Sequence, residues 1–169
     1  MQNRGAILKI LTPDYFYDSI FEVDLELLKE NNIQGLIIDI DNTLVGWDTT
    51  LPTVAVKEWL KQLENKGFSI CLVSNNHKKR VMYFSKELNI PFIYQAKKPM
   101  KRNFLAAMKI LETTKLQTAV IGDQIFTDVL GGNRLKLTTV LVKPIKSKEF
   151  WWTNFVRKIE RLVIKKVLK

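Results

Sequence analysis

The 169-residue chain is long enough for one domain, and its single cysteine rules out a disulfide within the chain. A formal net charge of +10 suits a partner such as nucleic acid, an anionic membrane or an acidic protein. No apolar run approaches the roughly 18 residues of a membrane-spanning helix, and residues 1–11 lack the apolar core of a signal peptide, so we expect a cytoplasmic protein.

Short apolar runs alternate with helical patterns along the chain. In chain order the predictions are strand 35–40, helix 54–66, strand 68–73, helix 77–88, strand 91–94, helix 101–114, strand 118–121 and strand 137–142. Strands that are apolar throughout and separated by helices indicate a parallel sheet covered on both faces. We therefore predict a doubly wound α/β fold for a domain at 1–149, followed by a helix at 150–169.

Polar residues interrupt this pattern where the predicted strands end. Asp39 and Asp41 end the first strand, residues 74–76 follow the second, Lys98 follows the third, and Asp123 ends the fourth. In open α/β sheets, ligands bind beyond the carboxyl ends of the strands. These side chains are therefore expected to converge on one site at that edge of the sheet.

The acidic residues at this edge predict a metal site. Asp39, Asp41, Asp123 and Asp128 would repel one another unless a cation lay between them. Oxygen ligands without nearby Cys or His favour Mg²⁺ over zinc. With Lys98 opposite, the group suits phosphoryl transfer. The alternative is that these aspartates are ordinary turn and cap residues, which such edges also contain.

Four short segments resemble the motifs of the haloacid dehalogenase-like (HAD) superfamily, in the same order along the chain. They are Asp39-Ile40-Asp41-Asn42-Thr43-Leu44, Val73-Ser74-Asn75, Lys98-Pro99, and Gly122-Asp123-Gln124 with Thr127-Asp128. The last segment, followed by residues 131–134, is similar to the YqeG-type branch of subfamily IIIA, which is related to mitochondrial phosphatidylglycerophosphate phosphatases. This resemblance implies the Rossmann-like sheet of that superfamily.

The resemblance also implies catalytic roles. Asp39 would attack phosphorus and become an aspartyl phosphate, and Asp41 would protonate the leaving group and then deprotonate the attacking water. Lys98 would neutralise charge on the nucleophile and the phosphoryl group. Lys97 is a second candidate for that role, although the proline that follows Lys98 favours Lys98.

Binding roles follow from the same resemblance. Ser74, Asn75 and Thr43 would hold the phosphate. Asp39, Asp123, Asp128 and the backbone carbonyl of Asp41 would surround Mg²⁺. His77, the single histidine, is either a substrate contact or a solvated residue in the first turn of a helix.

The spacing of the motifs leaves no room for a cap domain over the site. Only 33 residues separate Asp41 from Ser74 and 24 separate Ser74 from Lys98, and one helix with one strand fills most of each interval. Residues 45–52 could form a short flap, with Trp47 as one wall of the pocket. An uncapped site favours a large substrate, such as a lipid headgroup, a nucleic-acid end or a phosphoprotein.

The C-terminal segment has two interpretations. Residues 143–169 contain nine Lys or Arg and two Glu, a net charge of +7, and apolar residues at helical spacing occupy one face of 150–169. This pattern is typical of a basic amphipathic helix on an anionic membrane, and equally of a terminal helix docked on the sheet with a solvated basic face. The aromatic stretch 15–21 is expected to pack in the core, beside the site or against lipid.

Three functions are compatible with these features. The first is a Mg²⁺-dependent phosphatase that converts phosphatidylglycerophosphate to phosphatidylglycerol at the inner face of the cell membrane. The second is a HAD phosphatase for a nucleic-acid end, a phosphoprotein or a soluble metabolite; no nucleic-acid-binding module is recognisable, so we expect no nucleic-acid partner. The third is a non-catalytic Mg²⁺-binding switch, which would have no need of an acid at Asp41.

Overall fold

Six strands form one sheet in the computed structural model, which describes residues 9–145. The strands are β1 (Tyr15–Tyr17), β2 (Gly35–Ile38), β3 (Ser69–Val73), β4 (Phe92–Ile93), β5 (Thr118–Gly122) and β6 (Thr138–Val142). Their order across the sheet is β1-β6-β5-β2-β3-β4, and every neighbouring pair is parallel. All carboxyl ends therefore meet at one edge of the sheet, which we call the carboxyl edge.

Five α-helices with both ends inside the described residues connect and cover these strands. They are α1 (Leu25–Glu30), α2 (Val54–Asn65), α3 (Lys78–Lys86), α4 (Lys101–Leu111) and α5 (Leu130–Leu135). The shorter helical turns are two 3₁₀ helices, Ile20–Glu22 and Lys115–Gln117, and a π-helix, Ile125–Val129. The Asp24 carboxylate accepts a hydrogen bond from the amide of Leu27 at 2.9 Å, which caps α1.

The side chains of the central strands pack into two apolar layers, one on each face of the sheet. Leu36 and Ile38 of β2 pack in the layer that contains the buried residues of α1, α2 and α3, whereas Ile37 packs in the layer beneath α4 and α5. Both faces of β2 are therefore buried, which explains its continuous apolar sequence. Cys71 is fully buried in the second layer, and burial raises the pKa of its thiol to about 12.

The predicted α/β class and parallel sheet are confirmed, and the eight predicted elements occur within a few residues of their expected bounds. One strand and two α-helices of the described residues had not been predicted, namely β1, α1 and α5, nor had the 3₁₀ and π-helices. The aromatic run 15–21 supplies the edge strand β1 and the first 3₁₀ helix. The predicted helix 150–169 lies outside the described residues. In the described part of the chain, no helix is both long and apolar enough to span a membrane.

Candidate active site

The predicted site residues meet at the carboxyl edge of the sheet. Asp39 directly follows β2, Ser74 follows β3 and Asp123 follows β5, while Lys98 lies in the loop between β4 and α4. The Asp39 amide donates to the Ile121 carbonyl at 2.9 Å, which extends the pairing of β2 with β5 by one residue. This backbone hydrogen bond fixes the position of the Asp39 main chain at the end of β2.

A buried lysine lies between two of the aspartates. Lys98 Nζ forms an ion pair with Asp39 Oδ1 and a second with Asp128 Oδ1 at 2.7 Å, and all three side chains are almost inaccessible to water. The other Asp128 oxygen accepts a hydrogen bond from the Gln124 amide at 3.2 Å. Lys97, in contrast, is exposed, so Lys98 is the lysine that the fold brings to the carboxylates.

Asp123 completes an acidic cluster. The Thr43 hydroxyl lies 3.1 Å from Asp39 Oδ2 and 3.3 Å from Asp123 Oδ1, close enough to donate to either carboxylate. One oxygen each of Asp39, Asp123 and Asp128 lie within 4.8 Å of one another. Gly122 is required here, because a Cβ at that position would lie 2.4 Å from the Asp128 carboxylate carbon.

This crowding perturbs the ionisation of the cluster. Burial, with contributions from Asp39 and Asp128, raises the pKa of Asp123 to about 8. Burial also raises the pKa of Asp39 to about 7, although Lys98 opposes that rise. Burial alone would lower the pKa of Lys98, but its two carboxylate partners outweigh burial and raise it. Lys98 is thus a permanent cation with too little charge to balance three carboxylates.

These residues fit a divalent metal ion. The cluster offers three buried carboxylates with oxygens at mutual distances that one ion can bridge. All three donors are hard oxygens, which Mg²⁺ prefers. A dication would also remove the electrostatic penalty that raises the pKa values of Asp39 and Asp123.

The Asp41 side chain has its hydrogen-bond partners outside this cluster. Its Oδ2 accepts from the Ser74 hydroxyl at 2.9 Å and from the Asn76 amide group at 3.4 Å, while its Oδ1 accepts from Arg80 Nε at 2.8 Å. Two aspartates that are two residues apart therefore occupy different surroundings. The expected metal contact of Asp41 involves its backbone carbonyl and stays a prediction.

Arg80 is a site residue that the sequence did not reveal. It projects from α3, contacts Asp41 Oδ1 through Nη2 at 2.7 Å as well as through Nε, and donates from Nη2 to the Gly46 carbonyl at 3.3 Å. Arg80 therefore joins the loop after β2 to the helix after β3 through hydrogen bonds. Arg80 matches no motif, and only its position one turn into α3 could have suggested such a contact.

The remaining predicted residues have mixed surroundings. Asn75 Oδ1 accepts from the Lys98 amide at 2.7 Å, so this side chain holds the loop that carries the lysine. The Ser74 hydroxyl accepts from the Asn76 amide at 2.9 Å. His77 is the exposed N-cap residue of α3, and its side chain makes no capping hydrogen bond. The phosphate-binding roles of Ser74, Asn75 and Thr43 stay predictions.

Comparison with known proteins identifies relatives of the chain. The family model described as haloacid dehalogenase-like hydrolase matches residues 19–136. The chain is 45% identical over 156 residues to the Bacillus subtilis protein named Probable phosphatase YqeG, covering 92% of this chain and 91% of that protein. It is 25% identical over 162 residues to phosphatidylglycerophosphate phosphatase 1, chloroplastic/mitochondrial, from Arabidopsis thaliana, and spans only 45% of that protein.

Solved structures share the fold at low sequence identity. A hypothetical protein from Xanthomonas campestris superimposes with a TM-score of 0.57 at 16% identity, covering 79% of this chain and 77% of that one. A haloacid dehalogenase-like hydrolase from Brucella suis has a TM-score of 0.51 at 12% identity, covering 69% of this chain and 90% of that one. These structures confirm the architecture around the site.

Proposed function

Because this chain belongs to the haloacid dehalogenase-like hydrolase family, we propose that it is a phosphatase that cleaves phosphomonoesters through a phosphorylated Asp39. The observation that carries the proposal is the difference in surroundings between two neighbouring carboxylates, Asp39 and Asp41. Asp39 is buried in the acidic cluster, where it forms an ion pair with Lys98. Asp41 instead accepts a hydrogen bond from Ser74 and forms an ion pair with Arg80. This difference supports a nucleophilic role for Asp39 and a proton-transfer role for Asp41.

The first half of the reaction forms the covalent intermediate. An Asp39 oxygen bonds to phosphorus while the bond from phosphorus to the ester oxygen breaks. Asp41 gives its proton to the departing alkoxide. Lys98 stays within ion-pairing distance of Asp39 and offsets the negative charge of the approaching phosphate.

The second half regenerates the enzyme. Asp41, now a carboxylate, takes a proton from water as that water bonds to phosphorus, and the bond from phosphorus to Asp39 breaks to release inorganic phosphate. Ser74 and Arg80 both donate hydrogen bonds to Asp41, so they orient it and stabilise the form that acts as a base.

Mg²⁺ is the proposed cofactor. Asp39, Asp123 and Asp128 would hold it, with the Asp41 carbonyl as a further ligand. When bound, the ion would neutralise negative charge on the cluster and on the phosphoryl oxygens.

The proposed substrate is phosphatidylglycerophosphate. The Arabidopsis relative carries that substrate in its name, and the intervals before and after Ser74 each contain a single helix, which leaves the site open to a large headgroup. The runner-up is a phosphatase for a soluble phosphoester, a phosphoprotein or a nucleic-acid end.

Phosphate release from phosphatidylglycerophosphate in vesicles tests the proposal. The assay contains Mg²⁺ and runs beside a panel of soluble phosphoesters, with the Asp39→Asn variant as the control. Lipid hydrolysis that this variant lacks would support both the mechanism and the substrate. Hydrolysis of soluble esters alone would retain Asp39 and Asp41 in their roles but reject the lipid. A phosphorylated Asp39 that persists without turnover would instead favour a switch module.

A further inference from the structure

Large apolar side chains are exposed around the mouth of the site. Trp47 follows β2, Met100 follows β4, Phe126 follows β5 and Ile145 follows β6, each with 53–67% of its surface exposed. Since all strands are parallel, the four side chains lie on segments that leave the carboxyl edge, on both sides of Asp39 in the strand order. Phe126 lies in the π-helix Ile125–Val129, and the other three lie outside helices and strands. Single exposed apolar residues are ordinary, whereas one on each of four segments around a site indicates a contact surface.

Positive charge accompanies these side chains where α3 and α4 begin. Their first turns contain no acidic residue and instead start with Lys78-Lys79 and Lys101-Arg102, all exposed. Cations in the first turn oppose the helix dipole, which costs the helix stability. An anionic partner at this edge would convert that cost into attraction, because it would meet the cations and the positive helix ends together.

The charge is unevenly distributed along the edge. The exposed basic residues there are Lys78, Lys79, Lys97, Lys101 and Arg102, and the exposed acidic residues are Asp18, Glu22, Asp24 and Asp48. The basic residues follow β3 and β4, whereas the acidic ones follow β1 and β2. The basic half of the edge is therefore the half that the anionic partner would meet most closely.

We propose that the carboxyl edge docks on an anionic lipid membrane, with Trp47, Met100, Phe126 and Ile145 entering the headgroup region and the basic first turns of α3 and α4 contacting lipid phosphates. Aromatic and aliphatic side chains mixed with Lys and Arg suit the membrane interface. Each Lys or Arg near such a surface adds to the electrostatic attraction. Nucleic acid fits less well, because Met100 and Ile145 offer no ring on which a base can stack.

This orientation turns the mouth of the site toward the bilayer. It deepens the proposed function, because it explains how an uncapped phosphatase could reach a phosphate at the level of the headgroups. Docking through this surface can be measured without reference to catalysis.

The test places one environment-sensitive fluorophore on the full chain. Cys71 is buried and its thiol has a raised pKa, so a maleimide dye will label an introduced cysteine selectively. The labelled variants are Phe126→Cys at the carboxyl edge and Leu116→Cys as the control. Leu116 is 80% exposed and lies in the 3₁₀ helix just before β5, at the opposite edge of the sheet.

The two dyes are then read on vesicles of phosphatidylcholine with and without phosphatidylglycerol. The proposal predicts a blue shift and brighter emission at position 126 on anionic vesicles, a weaker response on neutral vesicles or in high salt, and no change at position 116. An equal response at both positions, or a response at position 116 alone, would overturn the proposal. Salt-sensitive binding to DNA or RNA without a vesicle response would overturn it as well.

An activity assay separates docking from the proposed function. For Phe126→Ser, the ratio of lipid hydrolysis to soluble-ester hydrolysis should fall at least several-fold, whereas Leu116→Ser should keep the wild-type ratio. A vesicle response at position 126 without hydrolysis of phosphatidylglycerophosphate would support the docking surface and reject the lipid substrate. Lipid hydrolysis without a vesicle response at position 126 would support the lipid substrate and reject the docking surface.

Discussion

Replacing Asp123 by Asn should stabilise the protein in the absence of divalent metal. Burial and two neighbouring carboxylates raise the pKa of Asp123 to about 8 from an ordinary value of 3.8. Below pH 3.8 the carboxyl group is protonated in both the folded and the unfolded chain, so it makes no difference to stability. Between pH 4 and pH 8 the unfolded chain has released the proton that the folded chain retains, so stability falls as the pH rises.

The expected gain follows from that pKa difference. Each pH unit above 3.8 costs about 1.36 kcal/mol, so the penalty at pH 7 is about 4 kcal/mol. An Asn side chain keeps the oxygen that lies 3.3 Å from the Thr43 hydroxyl, but its buried amide group would lack a partner, which costs about 1–3 kcal/mol. The net stabilisation should be about 1–3 kcal/mol, or a rise in Tm of about 2–12 °C.

Thermal unfolding in EDTA across pH 5–8 measures this difference. The gap between the Asp123→Asn variant and the wild type should widen as the pH rises. Asp18→Asn is the matched control, because Asp18 is exposed and its loss should change stability by less than about 0.5 kcal/mol. Mg²⁺ should narrow this gap, since ion at a hundred times its Kd would stabilise the wild type by about 2.7 kcal/mol. A variant less stable than the wild type in EDTA at pH 7 would refute the reasoning.

Three further predictions concern the same site. Asp41→Asn should abolish steady-state turnover, which phosphate release measures, while the protein still binds phosphate and folds normally by circular dichroism. Lys98→Met should destabilise the metal-free protein by about 3–5 kcal/mol in urea unfolding, because the substitution leaves buried carboxylates without their cation. A variant as stable as the wild type would contradict this prediction. Arg80→Gln should lower kcat about 10–100-fold with a smaller change in KM, since charge-assisted hydrogen bonds are worth about 1.5–3 kcal/mol. Arg80→Lys should recover only part of that loss. An unchanged kcat in Arg80→Gln would show that Arg80 does not support the reaction.

The sequence was sufficient to predict the strands that carry the site. Runs such as Leu36-Ile37-Ile38 are apolar on both faces, and a polar residue follows each of them at the edge of the sheet. Parallel pairing then requires those polar residues to meet. The convergence of Asp39, Lys98 and Asp123 could therefore be inferred without coordinates.

Elements with weaker local signals were missed. Strand β1 has only three residues, all half-buried, which is too short for a periodic pattern. Helix α5 contains Gly131 and Gly132, which usually argue against a helix. The structure explains both glycines, because added Cβ atoms would lie 2.4 Å from the Phe104 ring and 2.6 Å from Thr139. Such close packing depends on residues that are distant in the sequence.

The contact between Asp41 and Arg80 was missed for a similar reason. It joins two residues 39 positions apart on different elements, and no spacing rule connects a loop after one strand with a helix after the next. Local patterns predict which residues reach the edge of the sheet. They do not predict which side chains pair once they are there.

The carboxyl edge combines two features that lower the stability of the ligand-free protein. Buried carboxylates at Asp39 and Asp123 have raised pKa values, and lysine or arginine residues occupy first turns where the helix dipole disfavours them. A cation would relieve the first penalty and an anion the second. A Mg²⁺ ion and a phosphorylated substrate on an anionic surface supply both charges, so the same residues that weaken the free protein should strengthen its complex. Adding Mg²⁺ and anionic vesicles together should therefore raise Tm above either addition alone, and Asp123→Asn should remove only the part due to Mg²⁺.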